Sequence, residues 1–373
     1  MRTIRQMKVL RSRGHEIHLR YLGYGISGSN EKDQGIWASQ EPIFPNSKRW
    51  SHYARTLYPS PYKRLIESAK EEGYDIIHSV SMSDVLGAAA VRYSKDVPVL
   101  FDIRELVTSY EDTHLMNNYI PPLLRNGLVH RTIGRYFLRR MRSLEREAIE
   151  GANARLFVSD YAYGLAKDKY DFNRKSSKVF YNYITKEDIP SKKKRKISED
   201  DGEVHIAYSS GLALSDYRGQ VPPFLTRLAK QKIHVHIHGV FADDATKKCY
   251  TELARSPRVH LEKTLPPKEL IGELTRYDYG LIYYPKGFQN TMLDTSLPNK
   301  LFEYLAAGLP VLVSPFRSLA MFVDKFKVGV TFSSEKDLCA KLRNIDPFKV
   351  RPEEFTIEAH LKDLEGLYQR MLR

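Results

Sequence analysis

The stretch Ser296–Val313, SLPNKLFEYLAAGLPVLV, limits what this chain can fold into more than any other. It reads as a loop, a helix of about two and a half turns, a tight turn and a buried strand. Ser296 is expected as the N-cap, and Pro298 suits the first turn, where its missing N–H costs nothing. Gly308 can adopt the left-handed conformation that ends a helix, and Pro310 blocks its continuation. Val311, Leu312 and Val313 then suit only an interior strand. Lys300 and Glu303 share one helical face near the N-terminus with Tyr304 beside them, while Leu301, Leu305 and Ala306 turn to the sheet. A helix N-terminus with a lysine in its first turn is a natural cradle for phosphate. A carboxylate one turn later can accept hydrogen bonds from the vicinal hydroxyls of a ribose. The plainer alternative is a surface ion pair worth under about 1 kcal/mol.

A chain of 373 residues is long enough for two domains of about 180 residues each. In the first half, residues 2–13 read as a short amphipathic helix with Ile4, Met7 and Leu10 on one stripe, ended by Gly14. Residues 16–22 alternate as a strand, and 23–60 are rich in loop formers. A helix over 62–72, a strand over 75–80, a small-residue helix over 84–93 and a strand over 98–103 follow. This alternation predicts a parallel sheet with helices on both faces. Ligands of such sheets sit at the carboxyl ends of the strands. His78, Ser79, Asp102, Arg104 and Glu105 fall there. His78 can equally be a satisfied strand-end histidine, and Asp102 with Arg104 and Glu105 a self-contained ion pair. Further strands are expected over 154–158, with Ser159 capping the next helix, and over 178–183. Residues 186–203, with SKKKRK followed by Glu199, Asp200 and Asp201, read as a solvated linker.

The string PNKLFEYLAAGLPVLV resembles the nucleotide-sugar signature of GT-B glycosyltransferases, especially the retaining family 4 group. The pattern there is Pro-x-Lys-x-x-Glu-Tyr-x-Ala-x-Gly-x-Pro-Val. The resemblance implies an α/β fold of two Rossmann-like domains. The expected division is 1–184 as an acceptor domain, 185–202 as a charged linker, 203–354 as a nucleotide-sugar domain, and 355–373 as a terminal helix crossing back to the first. It also implies roles. A strand over 204–208 and a loop with Gly211 lead to Arg218 and Gly219, the family's diphosphate-binding position. Arg218 and Lys300 would then be catalytic, stabilising the leaving diphosphate without a metal. Gly211, Gly219, Pro298, Asn299, Glu303 and Tyr304 would bind the donor, with Glu303 on the ribose. His78, Asp102, Arg104 and Glu105 would face the acceptor. The family usually carries a second glutamate eight residues before Glu303. Thr295 stands there, with Gly287, Asn290 and Asp294 as nearby substitutes. It also usually opens with a strand and glycine loop ahead of the RGHEI segment (13–17). The first helix here starts at once, so the first domain is expected to lack that strand.

The net charge of +14 favours an anionic partner. Between Thr113 and Leu144 there is no acidic residue but there are six arginines among large apolar side chains. Residues 121–146 could therefore rest on an anionic membrane surface, or pack as a helix with a solvated basic face. Nucleic acid is not expected, since no zinc spacing, aromatic RNA-binding signature or helix-turn-helix pattern is present. His234, His236 and His238 share one face of a strand, where in-line residues converge poorly on an ion, so no metal and no cofactor is expected. Cys249 and Cys339 fit no metal spacing and read as reduced thiols. No signal peptide core or membrane span is evident, which points to a cytoplasmic chain, peripheral on the inner membrane surface. The expected reaction moves a sugar from a UDP- or GDP-linked donor to a glycan or lipid-phosphate acceptor, in cell-surface polysaccharide or glycoconjugate synthesis. The alternatives are a GT-B sugar-nucleotide epimerase and an inactive glycosyltransferase-like partner subunit.

Overall fold

The computed structural model describes residues 2–21, 36–42, 55, 57–81, 84–107, 127–288, 292–343 and 348–373. The chain divides into two compact units. One comprises Met1–Tyr181, Asn290–Ser296 and His360–Arg373, the other Asn182–Gln289 and Leu297–Ala359.

The first unit opens with α1 (Arg2–Ser12), β1 (His18–Tyr21), β2 (Ser39–Pro42) and α2 (Lys63–Glu71). It continues with β3 (Ile77–Ser81), α3 (Val85–Tyr93), β4 (Val99–Ile103), α4 (Gly127–Gly151), β5 (Ala154–Phe157), α5 (Asp160–Lys169) and β6 (Ser177–Val179). Strands β3 to β6 form a parallel sheet in sequence order. Helices α3 and α4 pack on it through Ala88, Ala89, Leu144 and Ala148 against Phe101 and Phe157. The small residues of α3 serve that approach, because a Cβ on Gly87 would stand 2.6 Å from the Phe101 ring and 2.9 Å from Ala148. Ser159 caps α5 as expected, its hydroxyl accepting from the amide of Ala162 at 3.0 Å. Among the described residues β1 pairs only with β2, so this pair is separate from the β3–β6 sheet.

The apolar stripe expected on α1 needs correcting. Met7 and Leu10 are buried, but so are Arg2, Arg5 and Gln6, while Ile4 is only half-buried. The helix turns a cation inward because Asp102, at the end of β4, is fully buried and needs one. The Arg2 guanidinium lies 2.7 Å from its carboxylate. The expected strand over 178–183 stops at Val179, after which Phe180, Tyr181 and Tyr183 are buried in irregular backbone. Residues 108–126, with the start of the arginine-rich segment, lie outside the described residues. On α4, Phe137, Leu138 and Met141 are buried, and Arg135, Tyr136 and Arg139 are exposed. Arg140 is drawn inward, its Nε donating to the Leu57 carbonyl at 3.0 Å.

The second unit contains α6 (Ser198–Asp201), β7 (Val204–Leu212), α7 (Val221–Ala229), β8 (Ile233–Phe241), α8 (Asp244–Leu253), β9 (Val259–Leu261), α9 (Pro267–Leu274) and β10 (Tyr279–Ile282). After α10 (Met292–Thr295), which belongs to the first unit, come α11 (Asn299–Ala306), β11 (Val311–Val313), α12 (Arg317–Phe326), β12 (Gly329–Thr331) and α13 (Glu335–Arg343); of the terminal helix α14 (Ile357–Met371), the residues from His360 on belong to the first unit. Six parallel strands run in the order β12-β11-β10-β7-β8-β9. The charged stretch read as a solvated linker is fastened to this unit. The Lys194 amide donates to Thr275 Oγ1 at 3.0 Å, and Ser198 Oγ donates to Asp278 at 2.7 Å. Its lysines have carboxylates within reach in the fold, which charge blocks in a sequence do not reveal. Among the described residues no helix is long and apolar enough to cross a membrane.

Candidate functional site

The strand order of the second unit selects one place. From β7 the chain builds outward through β8 and β9, then returns to add β10 on the other side of β7. Loops leaving β7 and β10 at their carboxyl ends therefore diverge, which opens a crevice where parallel sheets bind ligands. Tyr208 to Leu212 end β7, and Tyr283 and Tyr284 follow β10. Ser209, Ser210 and Gly211 are still strand, so the loop expected after Tyr208 begins only after Leu212.

Arg218 lies in a short 3-10 turn, Asp216–Gln220. Its guanidinium reaches back over β7, 3.9 Å from where a Cβ on Gly211 would stand. Gly219 is required for that turn, because a Cβ there would come within 2.5 Å of the Leu214 carbonyl oxygen. Lys300 stands in the first turn of α11, half-buried, its Nζ 5.0 Å from the centre of the Tyr208 ring. Arg218 also acts electrostatically on the Tyr208 hydroxyl. The two cations are thus gathered round one buried tyrosine at the crevice. Burial lowers the Lys300 pKa to about 8, with Glu303 opposing the shift. A lysine poised there gains from any anion that restores the charge it would otherwise tend to lose.

Helix α11 departs from expectation at its start. Ser296 does not cap it: the helix begins only at Asn299, and the Ser296 amide closes the last turn of α10 on the Met292 carbonyl at 3.0 Å. Pro298, in extended backbone, is the residue before the helix, and no side chain caps it. The Asn299 side chain is exposed, and Pro298 and Glu303 are half-exposed. Gly308 takes φ +75°, as its place after the helix requires. Tyr304, expected on the donor, is fully buried and acts as a strut instead. Its hydroxyl accepts from the Ser209 amide at 2.7 Å and donates to the Leu281 carbonyl at 3.3 Å, joining β7 to β10. Gly280 makes room for it, since a Cβ there would stand 2.2 Å from the Tyr304 ring.

In the first unit the acceptor-side residues do meet, around a buried charge. Asp102 has no exposure, with Arg104 and His78 Nε2 each 3.6 Å away. Burial pushes the Asp102 pKa up, but Arg104 and Arg2 outweigh this and hold the carboxyl well below its usual range. Asp102 is therefore an organising anion rather than a group open to an acceptor. His78 Nδ1 lies 2.9 Å from the Tyr368 hydroxyl, while its buried Nε2 faces the Asp102 carboxylate beyond hydrogen-bond distance, so only one ring nitrogen is satisfied. Arg104 and Glu105 keep partial exposure. Thr295 and Asp294 are buried, and Asn290 lies outside the described residues. Gly287, at φ +96°, shapes its turn.

Three residues escaped the sequence reading. Tyr208 was passed over as strand filler, although it stands next to the family's loop position. Tyr368 lies on the terminal helix, buried, with its hydroxyl on His78. Asp84, just before α3, carries a carboxyl raised well above its ordinary range by burial and by Glu145 and Glu105. Its only signal was a lone acid opening an apolar helix.

Residues 2–188 match the model of Glycosyltransferase Family 4. Residues 217–352 match the C-terminal domain of the glucosyltransferase 3-like family. No curated protein sequence matches significantly. Among solved structures, WaaG, a glycosyltransferase involved in lipopolysaccharide biosynthesis, is similar over 100% of this chain and 94% of its own, with TM-score 0.59 and 15% identity. A glycosyltransferase from Rickettsia africae gives TM-score 0.64 at 14% identity, covering 100% and 94%. Anabaena HepE, solved with UDP and glucose, gives 0.58 at 14% identity, covering 99% and 93%. At these identities the likeness is one of fold, the two-domain GT-B arrangement.

Proposed function

The chain belongs to Glycosyltransferase Family 4 and is a glycosyltransferase, and on that premise we propose that it moves a sugar from a UDP- or GDP-linked donor to a glycan or lipid-linked acceptor, retaining the anomeric configuration. The observation that carries the donor half of this reading is the pairing of Arg218 and Lys300 about Tyr208 at the carboxyl end of β7. Two cations at that point suit a diphosphate, whose negative charge grows as the sugar bond breaks, so their stabilisation is largest in the transition state. Glu303, one turn beyond Lys300, accepts from the ribose hydroxyls. The first turn of α11 presents its positive dipole end to the same phosphate. The reading needs no metal or other cofactor: the positive charge comes from the side chains. The structure of HepE with UDP and glucose supports a donor of this class.

On the acceptor side, Arg104 and Glu105 are the proposed contacts, held in place by the buried Arg2–Asp102 pair. The acceptor hydroxyl gives its proton to the leaving diphosphate or to a carboxylate of the first unit. The work of WaaG in lipopolysaccharide biosynthesis supports a cell-surface glycoconjugate as the product class. The exposed Arg135 and Arg139 of α4 support a place at an anionic inner membrane surface.

Thermal unfolding with UDP, GDP and ADP tests the donor site. One nucleotide should raise the midpoint, and Lys300→Ala and Arg218→Ala should each abolish the rise. A folded wild-type chain that no nucleotide stabilises would sink the assignment. An epimerase would convert the sugar of a UDP- or GDP-sugar incubated with the chain and no acceptor.

A further inference from the structure

A second polar cluster lies in the second unit, at the amino end of β7, about 20 Å along that strand from Gly211. His205 of β7 pairs in register with His234 of β8. Their rings stack, with centroids 4.6 Å apart and planes 19° off parallel. Their Nε2 atoms meet carboxylates: His205 lies 3.0 Å from Asp201 and His234 lies 2.8 Å from Glu203. Their Nδ1 atoms face histidines, His205 on His236 Nε2 and His234 on His260 Nε2, both at 2.9 Å. His236 Nδ1 in turn lies 2.7 Å from Glu262.

Asp201, His205, His236 and Glu262 make three contacts in a row, with a carboxylate at each end. Two neutral imidazoles carry only two N–H groups, so every choice of tautomers leaves one contact with lone pairs opposed. The row is complete only with one more positive charge. If the inner nitrogens donate, His205 to His236 and His236 to Glu262, that charge belongs between His205 Nε2 and Asp201. The His234 Nε2 lone pair is freed for the same place when its Nδ1 donates to His260. Donor atoms of Asp201, His205 and His234 all lie within 4.8 Å of one another.

We propose that Asp201, His205 and His234 bind one divalent transition-metal ion of the zinc class, while Glu203, next to His234, is held by Arg258. Two imidazoles with carboxylate oxygen favour Zn2+, Co2+ or Ni2+ over Mg2+ and Ca2+. The hydrogen bonds from His205 and His234 to His236 and His260 are the kind of outer support that fixes a metal-ligating ring. Asp201 is exposed, so the ion enters from solvent, while the His205 side chain keeps only 3% exposure. The three ligands come from α6, β7 and β8, so the ion would fasten the first turn of this unit to its sheet. Its distance from Arg218 and Lys300 makes the role structural. The three histidines of β8 do not converge, as their sequence suggested; β7 and α6 supply the other ligands.

Equilibrium dialysis of the full chain against Zn2+ or Mg2+, with the metal counted per chain, tests this. The expected result is one equivalent of zinc, none of magnesium, and zinc affinity at least about tenfold weaker in Asp201→Asn and His234→Gln. The Co2+-loaded chain should show visible d–d bands that both variants lose. Asp201 is exposed, so its variant remains a fair test if His234→Gln does not fold. Folded wild-type protein without stoichiometric zinc overturns the proposal, and so does zinc binding undiminished in the variants, which would mark adventitious binding by other histidines.

Discussion

At the scale of single residues, Lys300 carries the most information. Burial lowers its pKa from 10.5 to about 8, so between those values the folded chain binds fewer protons than the unfolded one. Stability of the free protein should therefore rise with pH across that window, as the cost of the buried charge is relieved. Nucleoside diphosphate affinity should move the other way. It is full below about pH 8 and should fall above it by up to about tenfold per pH unit. Lys300→Arg keeps the charge at every accessible pH and should flatten that fall. Isothermal titration over this range gives the answer; an equally steep loss in the arginine variant would remove Lys300 from the site. Lys300 and Glu303 were legible in the sequence because a long motif fixed their place. Tyr304 was misjudged for the same reason: the motif marks the position, and only packing against Gly280 shows that its ring is enclosed.

At the scale of elements, α11 and β11 followed from propensity and punctuation, while the start of α11 did not: it begins only at Asn299, with the Ser296 amide closing the last turn of α10. The ends of β6 and β7 also differ from expectation, since pairing with neighbours rather than local composition sets where a strand stops. Helix α1 is the clearest case. Its periodicity was visible, but Arg2 faces inward because of a carboxylate some hundred residues away. Removing one partner of a buried ion pair costs about 3–5 kcal/mol. Arg104 and His78 remain near Asp102, so Arg2→Met should fall near the lower end, about 3 kcal/mol in urea unfolding. Adding Asp102→Asn should recover at least half of that loss. A cost below about 0.5 kcal/mol for Arg2→Met would show that the pair does not organise the first unit.

At the scale of the whole molecule, two Rossmann-like units were legible from the alternation of strands and helices and from the motif, because both patterns are local in sequence. The crevice between β7 and β10 was not, because it depends on strand order. The charge of +14 was visible, but the fold decides how it is spent: lysines of the charged stretch find carboxylates, while Arg135 and Arg139 stay on the surface. Binding to vesicles of phosphatidylglycerol should weaken with added salt and fall by at least about thirtyfold in Arg135→Glu/Arg139→Glu, from roughly 1 kcal/mol for each positive charge lost near the surface. Vesicle binding equal in the two proteins would assign the charge elsewhere. The central claim is that Arg218 and Lys300 stabilise the departing diphosphate, and the most direct measurement is sugar transfer from labelled UDP- and GDP-sugars to lipid-linked and glycan acceptors. The wild-type chain should transfer from one donor, and Lys300→Ala and Arg218→Ala should each lower kcat/KM by about 10²–10³-fold. Transfer at wild-type rate in both variants would contradict the account.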